Sequence, residues 1–250
     1  MDLRRYFTGT SPVHAWDGRW KGATLFLFTF VCASVDRWSA LGIVGAAAIG
    51  LTGAARLPAG RVVRALKAPG LFLAIMYLVL VLTAGGEAMV TFGPVRLYKD
   101  GLVLATVISI RAAAIMLVLI VLFGTTPLYT LAGALEYFKV PARLSSILLF
   151  TYRYIFLYRE TLGTLVTAAK MRGYRLSHPF SHPVTTVNIL VSMLVRSYEQ
   201  SRRVYHAMCL RGYSGSYPTT ASFATRPSDI LKTGVFVLIS GALLWVRYHE

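Results

Sequence analysis

The sequence predicts an all-α integral membrane protein with about five transmembrane helices and long amphipathic helices at the cytoplasmic face. Of its 250 residues, 56% are hydrophobic and only 14% are charged, whereas about a quarter of a soluble domain is charged. Its 26 Lys and Arg against 10 Asp and Glu give a net charge of +16, which can indicate a nucleic-acid-binding protein. However, a basic soluble protein does not contain runs such as 70–82 and 102–123 that are almost free of charge. The sequence therefore indicates a protein that lies in a lipid bilayer and does not bind nucleic acid.

Five apolar runs are candidates for the transmembrane helices, since a helix crosses the hydrocarbon core with roughly 20 apolar residues. The first two are short and separated by four residues, so a helical hairpin is expected, with Trp20 and Trp38 at its interfacial ends. A cleaved signal peptide is disfavoured for the first run, because a polar leader precedes it and another apolar run follows closely. The runs are 23–35, 40–55, 69–84, 102–123 and 230–246.

The charged loops predict the orientation in the cytoplasmic (inner) membrane. The segment 1–22 and the 56–67 loop each carry four basic residues, whereas the charges of the 85–100 loop cancel. Basic residues concentrate on the cytoplasmic side of short loops. The N-terminus of this multi-pass protein is therefore expected in the cytoplasm and the C-terminus outside.

The chain is expected to have three regions: transmembrane helices in 1–124, a cytoplasmic and interfacial region in 125–228, and a last transmembrane helix in 229–250. The middle region carries 12 of the 26 basic residues and only three acids. Its apolar segments are interrupted by charges such as Arg153 and Arg196, which cost several kcal/mol each at bilayer depth. Long amphipathic helices partly in the interface fit this pattern better than further spans.

A short motif occurs twice in this middle region, 39 residues apart. The two copies of Glu-x11-Arg-Gly-Tyr are Glu160 with Arg172, Gly173 and Tyr174, and Glu199 with Arg211, Gly212 and Tyr213. Gly just past a helix end takes the left-handed conformation that terminates it, and the preceding Arg complements the negative helix pole. One such copy indicates an ordinary capped helix end. Two matched copies favour a surface that binds a partner, since Arg docks well to carboxylates and helix C-termini.

No residue pattern predicts a metal or a cofactor. Cys32 and Cys209 have no CxxC spacing, which rules out a disulfide framework and a zinc-type pair. His178 and His182 are spaced like a metal pair, but a proline follows each and no carboxylate or Cys lies nearby. Loop histidines are the better interpretation.

In its order of motifs the chain resembles a known family over nearly its whole length. The features are the leader 11–21, Arg111 inside a span, Gly124-Thr125-Thr126-Pro127, Lys139-Val140-Pro141, and the two Arg-Gly helix ends before a last span. This order resembles the transmembrane (T) component of energy-coupling factor (ECF) ABC transporters, and within it the CbiQ-type cobalt transport permease.

The resemblance implies a non-catalytic subunit of an ATP-driven importer. Such a subunit holds a substrate-binding membrane subunit (S or CbiM-like) and two cytoplasmic ATP-binding subunits, and its Arg-bearing helix ends, the coupling helices, insert into grooves of the ATPases. Arg172 and Arg211 match those positions. The implied ATPase-coupling residues are Arg172, Gly173, Arg211, Gly212, Glu160 and Glu199. The family's usual triplet is Ala-Arg-Gly, whereas Met171 and Leu210 precede the Arg here, which changes the groove fit.

Several alternatives stay open at this point. The chain contains no Gly-Lys pair and hence no P-loop, so ATP must bind another chain. Cobalt, nickel and a vitamin such as biotin are all possible substrates of a T component. A stand-alone secondary transporter would need intramembrane acids or broken helices, and an intramembrane enzyme would need facing catalytic groups; neither set is evident. Arg111 is either functional, as intramembrane charges often are, or structural, with a partner such as Glu87.

Overall fold

A computed structural model describes residues 11–35, 37–83, 88–92, 95–174, 183–215 and 227–249. Over these residues the chain forms eight α-helices and one two-stranded antiparallel hairpin. The helices are α1 (Gly18–Ser34), α2 (Trp38–Ala55), α3 (Ala59–Thr83), α4 (Lys99–Thr125), α5 (Leu128–Tyr137), α6 (Ala142–Met171), α7 (Pro183–Leu210) and α8 (Pro227–His249), and the strands are β1 (Ala88–Phe92) and β2 (Val95–Tyr98). The helical architecture confirms the all-α membrane class.

Four of the described helices are long and apolar enough to cross a membrane: α2, α3, α4 and the 20 residues Pro227–Val246 of α8. The first predicted run lies in α1, which has 17 residues and is about 26 Å long at 1.5 Å per residue. It is thus slightly short of the roughly 30 Å hydrocarbon core. The expectation that this run borrows flanking residues agrees with the start of α1 at Gly18, five residues before the run.

Two loop predictions were wrong in detail. The basic segment 56–67 is not a loop, because α3 already begins at Ala59 and continues through Pro69 to Thr83. Pro58 precedes the helix, where its fixed φ favours initiation, and the residues that follow are mostly good helix formers. The 85–100 loop contains the β1–β2 hairpin, whose β-branched and aromatic residues around Gly93-Pro94 were an available sequence signal.

The transmembrane core lies where α1 packs on α4 and α8, and α2 packs on α4. Leu25, Phe28, Val44, Val118 and Leu243 meet there, each with no exposed surface. Helix α3 packs on α4 but buries only Val62 and Val81. Over residues 71–82 it exposes large apolar side chains such as Leu71, Phe72 and Leu78, which suits contact with lipid.

The chain divides into two compact units. The first contains Met1–Leu131 and Ser222–Glu250, and the second contains Ala132–Ala221. The core described above belongs to the first unit, and the pair α6–α7 belongs to the second. Both copies of the repeated motif therefore lie in the second unit.

Candidate functional site

Helices α6 and α7 pack as an antiparallel pair, and we take the polar contact near the middle of both helices as their crossing point. The Tyr158 hydroxyl donates to the Ser197 carbonyl at 3.5 Å, between residues 39 positions apart. Near the connection, the hydroxyls of Tyr174 and Thr186 lie 3.0 Å apart. The crossing residues are separated by the same 39 positions as the two motif copies, so the crossing lies at equivalent points of the repeat.

This placement gives the helix pair an approximate two-fold symmetry. Arg172 follows Tyr158 by 14 residues, and Arg211 follows Ser197 by 14. At 1.5 Å per residue each Arg lies about 21 Å along its helix from the crossing. Because the helices are antiparallel, the two Arg residues point away from the crossing at opposite ends of the pair.

Both helices end in the same hydrogen-bonded turn. In α6, the Gly173 N–H donates to Lys170 O at 3.0 Å and the Tyr174 N–H to Ala169 O at 3.1 Å. In α7, the equivalent Gly212 and Tyr213 bonds measure 3.0 and 3.1 Å. This is the Schellman motif, and φ is +89° at Gly173 and +80° at Gly212. The prediction that these glycines terminate their helices is confirmed.

The residue before each Arg is a large apolar side chain in an unusual position. Met171 is 86% exposed and Leu210 is 89% exposed, the two highest values for large apolar side chains in the described part of the chain. The neighbouring Arg172 and Arg211 are also exposed. Neither guanidinium forms a hydrogen bond or ion pair with any residue that the structure describes. Each end thus presents an apolar side chain and a cation that no described residue of this unit covers.

A cavity lies beside each helix end. The cavity at the α6 end measures about 540 Å³ and the one at the α7 end about 510 Å³. Six positions line both cavities in the same register: Leu165, Ala168, Ala169, Arg172, Gly173 and Tyr174 in the first, and Val204, Ala207, Met208, Arg211, Gly212 and Tyr213 in the second. The opposite helix adds a second arginine, Arg196 in the first cavity and Arg153 in the second. Neither lining contains Asp or Glu among the described residues, so both cavities suit an anionic group.

The two glutamates of the motif lie apart from these helix ends. Glu160 and Glu199 precede their arginines by 12 residues, about 18 Å along the helix. Glu199 instead faces Arg203 in an exposed i,i+4 pair at 3.8 Å, a kind of pair worth little. The structure brings each Arg and Gly together at a helix end but places neither Glu beside its Arg.

In the first unit, two basic residues donate hydrogen bonds to backbone carbonyls at the ends of helices. Lys21 of α1, 1% exposed, donates to Thr125 O at 3.2 Å, Thr125 Oγ1 at 3.0 Å and Val13 O at 3.0 Å. Arg111 of α4 donates to the carbonyl of Val35, the residue that ends α1. Each helix thus supplies the cation that caps the carbonyl end of the other. This contact favours the structural interpretation of Arg111; Glu87, its other expected partner, lies outside the described residues.

No group of three or more His, Cys, Asp or Glu residues suited to a metal occurs in the described ranges. His178 and His182 lie outside those ranges. Cys32 is buried and Cys209 is exposed, both as free thiols. A hydrogen bond with Cys209 raises the pKa of Tyr205 above its ordinary value.

Sequence reasoning missed three features of these sites. It did not predict that Lys21 is buried, that Met171 and Leu210 are the most exposed large apolar residues, or that each cavity holds a second arginine. The 39-residue offset would not have identified that second arginine, because Arg153 aligns with Ser192, and Arg196 with Leu157. The burial of Lys21 was partly predictable, because this residue lies two positions before an apolar run.

The chain matches a family model described as cobalt transport protein, CbiQ, over residues 9–221. The energy-coupling factor transporter transmembrane protein EcfT of Bacillus subtilis is 27% identical over 86% of this chain and 85% of its own length. The cobalt transport protein CbiQ of Rhodobacter capsulatus is 27% identical over 65% of this chain and 66% of its own length. A putative fused cobalt transport protein, CbiMQ, of Methanocorpusculum labreanum is 28% identical over 55% of this chain and 24% of its own length.

The relatives are named as transport proteins, and the matched residues include α1 to α7 with both Arg-Gly helix ends. Together with the membrane-spanning helices, the match over residues 9–221 identifies this chain as a member of the CbiQ cobalt transport protein family and a T component of the ECF type.

Proposed function

We propose that this chain couples ATP hydrolysis by two cytoplasmic ATP-binding subunits to the movement of a substrate-binding membrane subunit, in an importer of Co²⁺. The observation that carries the proposal is the matched pair of helix ends. Each offers an exposed apolar side chain, a guanidinium that pairs with no described residue, and a cavity of similar size. The chain itself supplies no P-loop.

The chemistry of the ends supports docking to protein rather than to a small molecule. An apolar residue beside an Arg is a typical pattern for the centre of an interface, where Arg and large apolar side chains carry most of the binding energy. Two arginines per cavity, without an acid, suit a carboxylate or a helix C-terminus on the partner. Two similar ends on one symmetric pair suit two copies of such a partner, one for each ATP-binding subunit.

The crossing of α6 and α7 supports transmission of motion between the two ends. A helix is stiff over the 14 residues from the crossing to each Arg. Moving the two docked subunits together would therefore change the angle at the Tyr158–Ser197 contact. We propose that this change of angle reorients the substrate-binding subunit.

Orientation and substrate are parts of the same proposal. The positive-inside rule places the N-terminus and the helix ends in the cytoplasm, with the chain in the inner membrane. Cobalt is proposed because the family and two relatives carry that word in their names. The EcfT name of the Bacillus subtilis relative gives no substrate, so nickel and biotin belong in the same assay.

The first experiment measures how the ATP-binding subunits associate with variants of the helix ends. We expect Arg172→Ala or Arg211→Ala to weaken association by about 2–4 kcal/mol each, because a docking carboxylate would lose its partner. The double variant should abolish ATP-driven uptake of ⁵⁷Co while the protein stays inserted in the membrane. Lys170→Ala and Arg202→Ala are matched controls, since both cations are exposed on the same helices but line neither cavity.

Full uptake by the double variant would contradict coupling through these ends. Uptake by the reconstituted chain without ATP-binding subunits would instead indicate a secondary transporter. Uptake of nickel or biotin, with cobalt excluded, would leave the coupling intact and replace only the substrate.

The free thiol of Cys209 offers a second test. It is exposed two residues before Arg211, whereas Cys32 is buried, so a membrane-impermeant maleimide should label Cys209 selectively. We expect labelling in inside-out vesicles, and protection when the ATP-binding subunits are bound. A Met171→Cys variant in a Cys209→Ser background reports on the other end. Labelling that is unchanged by those subunits at both ends would place the docking surface elsewhere.

A further inference from the structure

A polar cavity of about 410 Å³ lies within the first unit, away from the two Arg-bearing helix ends. Its wall combines the N-terminal turn before α1, the start of α1, and the segment that joins α4 to α5. The polar residues of this wall that matter here are His14, Trp16, Lys21, Thr126, Tyr129 and Thr130. No Asp or Glu belongs to its described lining, which makes a metal cation an unsuitable occupant.

Two helix N-termini meet at this cavity. A Cβ built on Gly18, the first residue of α1, would lie 2.6 Å from Thr130 Cγ2 in the first turn of α5. The helices have 17 and 10 residues. Each helix N-terminus carries a partial positive charge and unpaired N–H groups that favour anions. The close approach at Gly18 brings the two N-terminal turns to the same place; because Asp17 already caps α1, the α5 end is the one that favours an anion.

A fixed cation adds to this field. The Lys21 ammonium is held by its three acceptors and lies just before the predicted span 23–35. The charges of Lys232 and Asp229 both act on this ammonium, with opposite signs. Burial and the charge of Lys21 lower the pKa of His14. The His14 shift has the sign that burial and a neighbouring like charge give a basic group.

Two carboxylates lie near this cavity: Asp17 caps the α1 N-terminus, and Asp229 acts on Lys21. Asp17 accepts from the Arg19 backbone N–H at 3.0 Å and pairs with the Arg19 guanidinium at 3.0 Å. Asp229 faces Lys232 at 3.6 Å. Each acid is thus occupied by a cation outside the lining.

Two buried donors in this wall have no acceptor within the described chain. Thr126 is 2% exposed and its hydroxyl has no partner; Trp16 is 3% exposed and its indole N–H has none. A buried unsatisfied donor is costly, so each favours an acceptor other than the described residues. The His14 ring is oriented by Ser11, whose Oγ lies 2.6 Å from Nδ1, which leaves its Nε2 available.

We propose that this cavity binds a phosphate group, held by the Thr126 hydroxyl and the donors around it at the junction of the α1 and α5 N-termini. The group comes either as inorganic phosphate or as the headgroup phosphate of an anionic phospholipid, because the cavity lies next to the start of a predicted span. This site is independent of the proposed coupling function.

The test titrates two probes onto the purified full chain in an uncharged detergent. Inorganic phosphate is the first probe, read by the shift of the melting temperature. Dioleoylphosphatidylglycerol is the second, compared with dioleoylglycerol, which has the same chains without the phosphate, and read by native mass spectrometry. We expect Thr126→Val to weaken phosphate binding about tenfold, since it removes a donor to a charged group at nearly constant volume.

Thr52→Val is the matched control, because the Thr52 hydroxyl already donates to Ala48 O at 2.7 Å in its own helix and lines no part of this cavity. Binding of inorganic phosphate that Thr126→Val weakens and Thr52→Val does not would support a free oxyanion site. The same pattern with phosphatidylglycerol alone would support a headgroup site. If neither probe binds, or if Thr126→Val binds both as the original chain does, the proposal is overturned. Should Thr126→Val not fold, Tyr129→Phe removes another hydroxyl of the same wall and is judged by the same outcomes.

Discussion

The two units use their basic residues in opposite ways. In the first unit, Lys21 and Arg111 turn inward and donate to backbone carbonyls at the ends of α4 and α1. In the second unit, Arg172 and Arg211 stand exposed at the ends of α6 and α7, and neither bonds to a described residue. The basic residues behind the net charge of +16 therefore have at least two roles. Some cap helix ends inside the membrane bundle, and others are exposed at the ends of α6 and α7.

The burial of apolar residues follows the same division. Helix α1 buries seven residues along its length, whereas no described residue of α7 is buried. Since van der Waals packing between helices holds a membrane bundle together, the first unit can hold its shape by its own packing. The α6–α7 pair leaves many large apolar side chains exposed, which indicates surfaces to be covered by lipid or by other subunits.

The largest expected effect on stability is that of Lys21→Met. The substitution keeps the side-chain length but leaves the carbonyls of Val13 and Thr125 without a donor. We expect a loss of about 3 kcal/mol, because buried unsatisfied acceptors cost 1–3 kcal/mol each. For a chain of this size that lowers the melting temperature by roughly 6–12 °C, as measured by thermal unfolding in detergent.

Lys232→Met is the matched control for this change. Lys232 also donates to a carbonyl of the N-terminal turn, Pro12 O at 2.9 Å, but it is partly exposed, so water can replace it. Because Lys232 also faces the buried Asp229 at 3.6 Å, both variants are made in an Asp229→Asn background, where we expect Lys232→Met to cost less than about 1 kcal/mol. If both variants lose the same free energy of unfolding, the burial of Lys21 does not explain the contribution of its hydrogen bonds to stability.

The sequence predicted most of the helices and missed most of the tertiary contacts, for a physical reason. Apolar runs and Arg-Gly ends are local patterns, and they correctly indicated the spans and the two terminated helices α6 and α7. The contact of Lys21 with Thr125 joins residues 104 positions apart, so it depends on how α1 packs against α4, which local patterns do not encode. The 56–67 segment was mistaken for a loop because its basic charges were taken as the sign of a loop. Its helix propensity, which was not considered, would have indicated a helix.

The next largest effect is expected at Gly18. A methyl group there would meet Thr130 Cγ2 at 2.6 Å, and such overpacking typically costs 1–3 kcal/mol; we expect about 2 kcal/mol for Gly18→Ala. Gly45→Ala is the control, since no atom lies within 4 Å of the built Cβ, and a helical Gly replaced by Ala gains up to about 1 kcal/mol. Adding Thr130→Ser removes the clashing methyl and should restore stability. A double-mutant cycle without such coupling would rule out this contact as the cause.

A smaller effect is expected for Arg111→Leu. The variant loses the donor to Val35 O but no longer places a charge within an apolar run, so the two terms partly offset and a loss of about 1 kcal/mol follows. If the role of Arg111 is structural, ATP-driven uptake per inserted molecule should stay unchanged. Lost uptake with unchanged thermal stability would instead assign it a functional role in the membrane.

The smallest effect on stability is expected for the double variant Arg172→Ala, Arg211→Ala, although its effect on partner binding should be the largest. Both guanidinium groups are exposed and pair with no residue that the structure describes, and the bonds that terminate α6 and α7 are made by backbone atoms. We therefore expect the free energy of unfolding to change by less than about 0.5 kcal/mol. Gly173→Ala and Gly212→Ala are the informative contrast, because φ is +89° and +80° there, and a Cβ in that region costs roughly 1–2 kcal/mol. A destabilised Arg variant with intact glycines would mean that the second unit, like the first, uses its cations to hold its own helices.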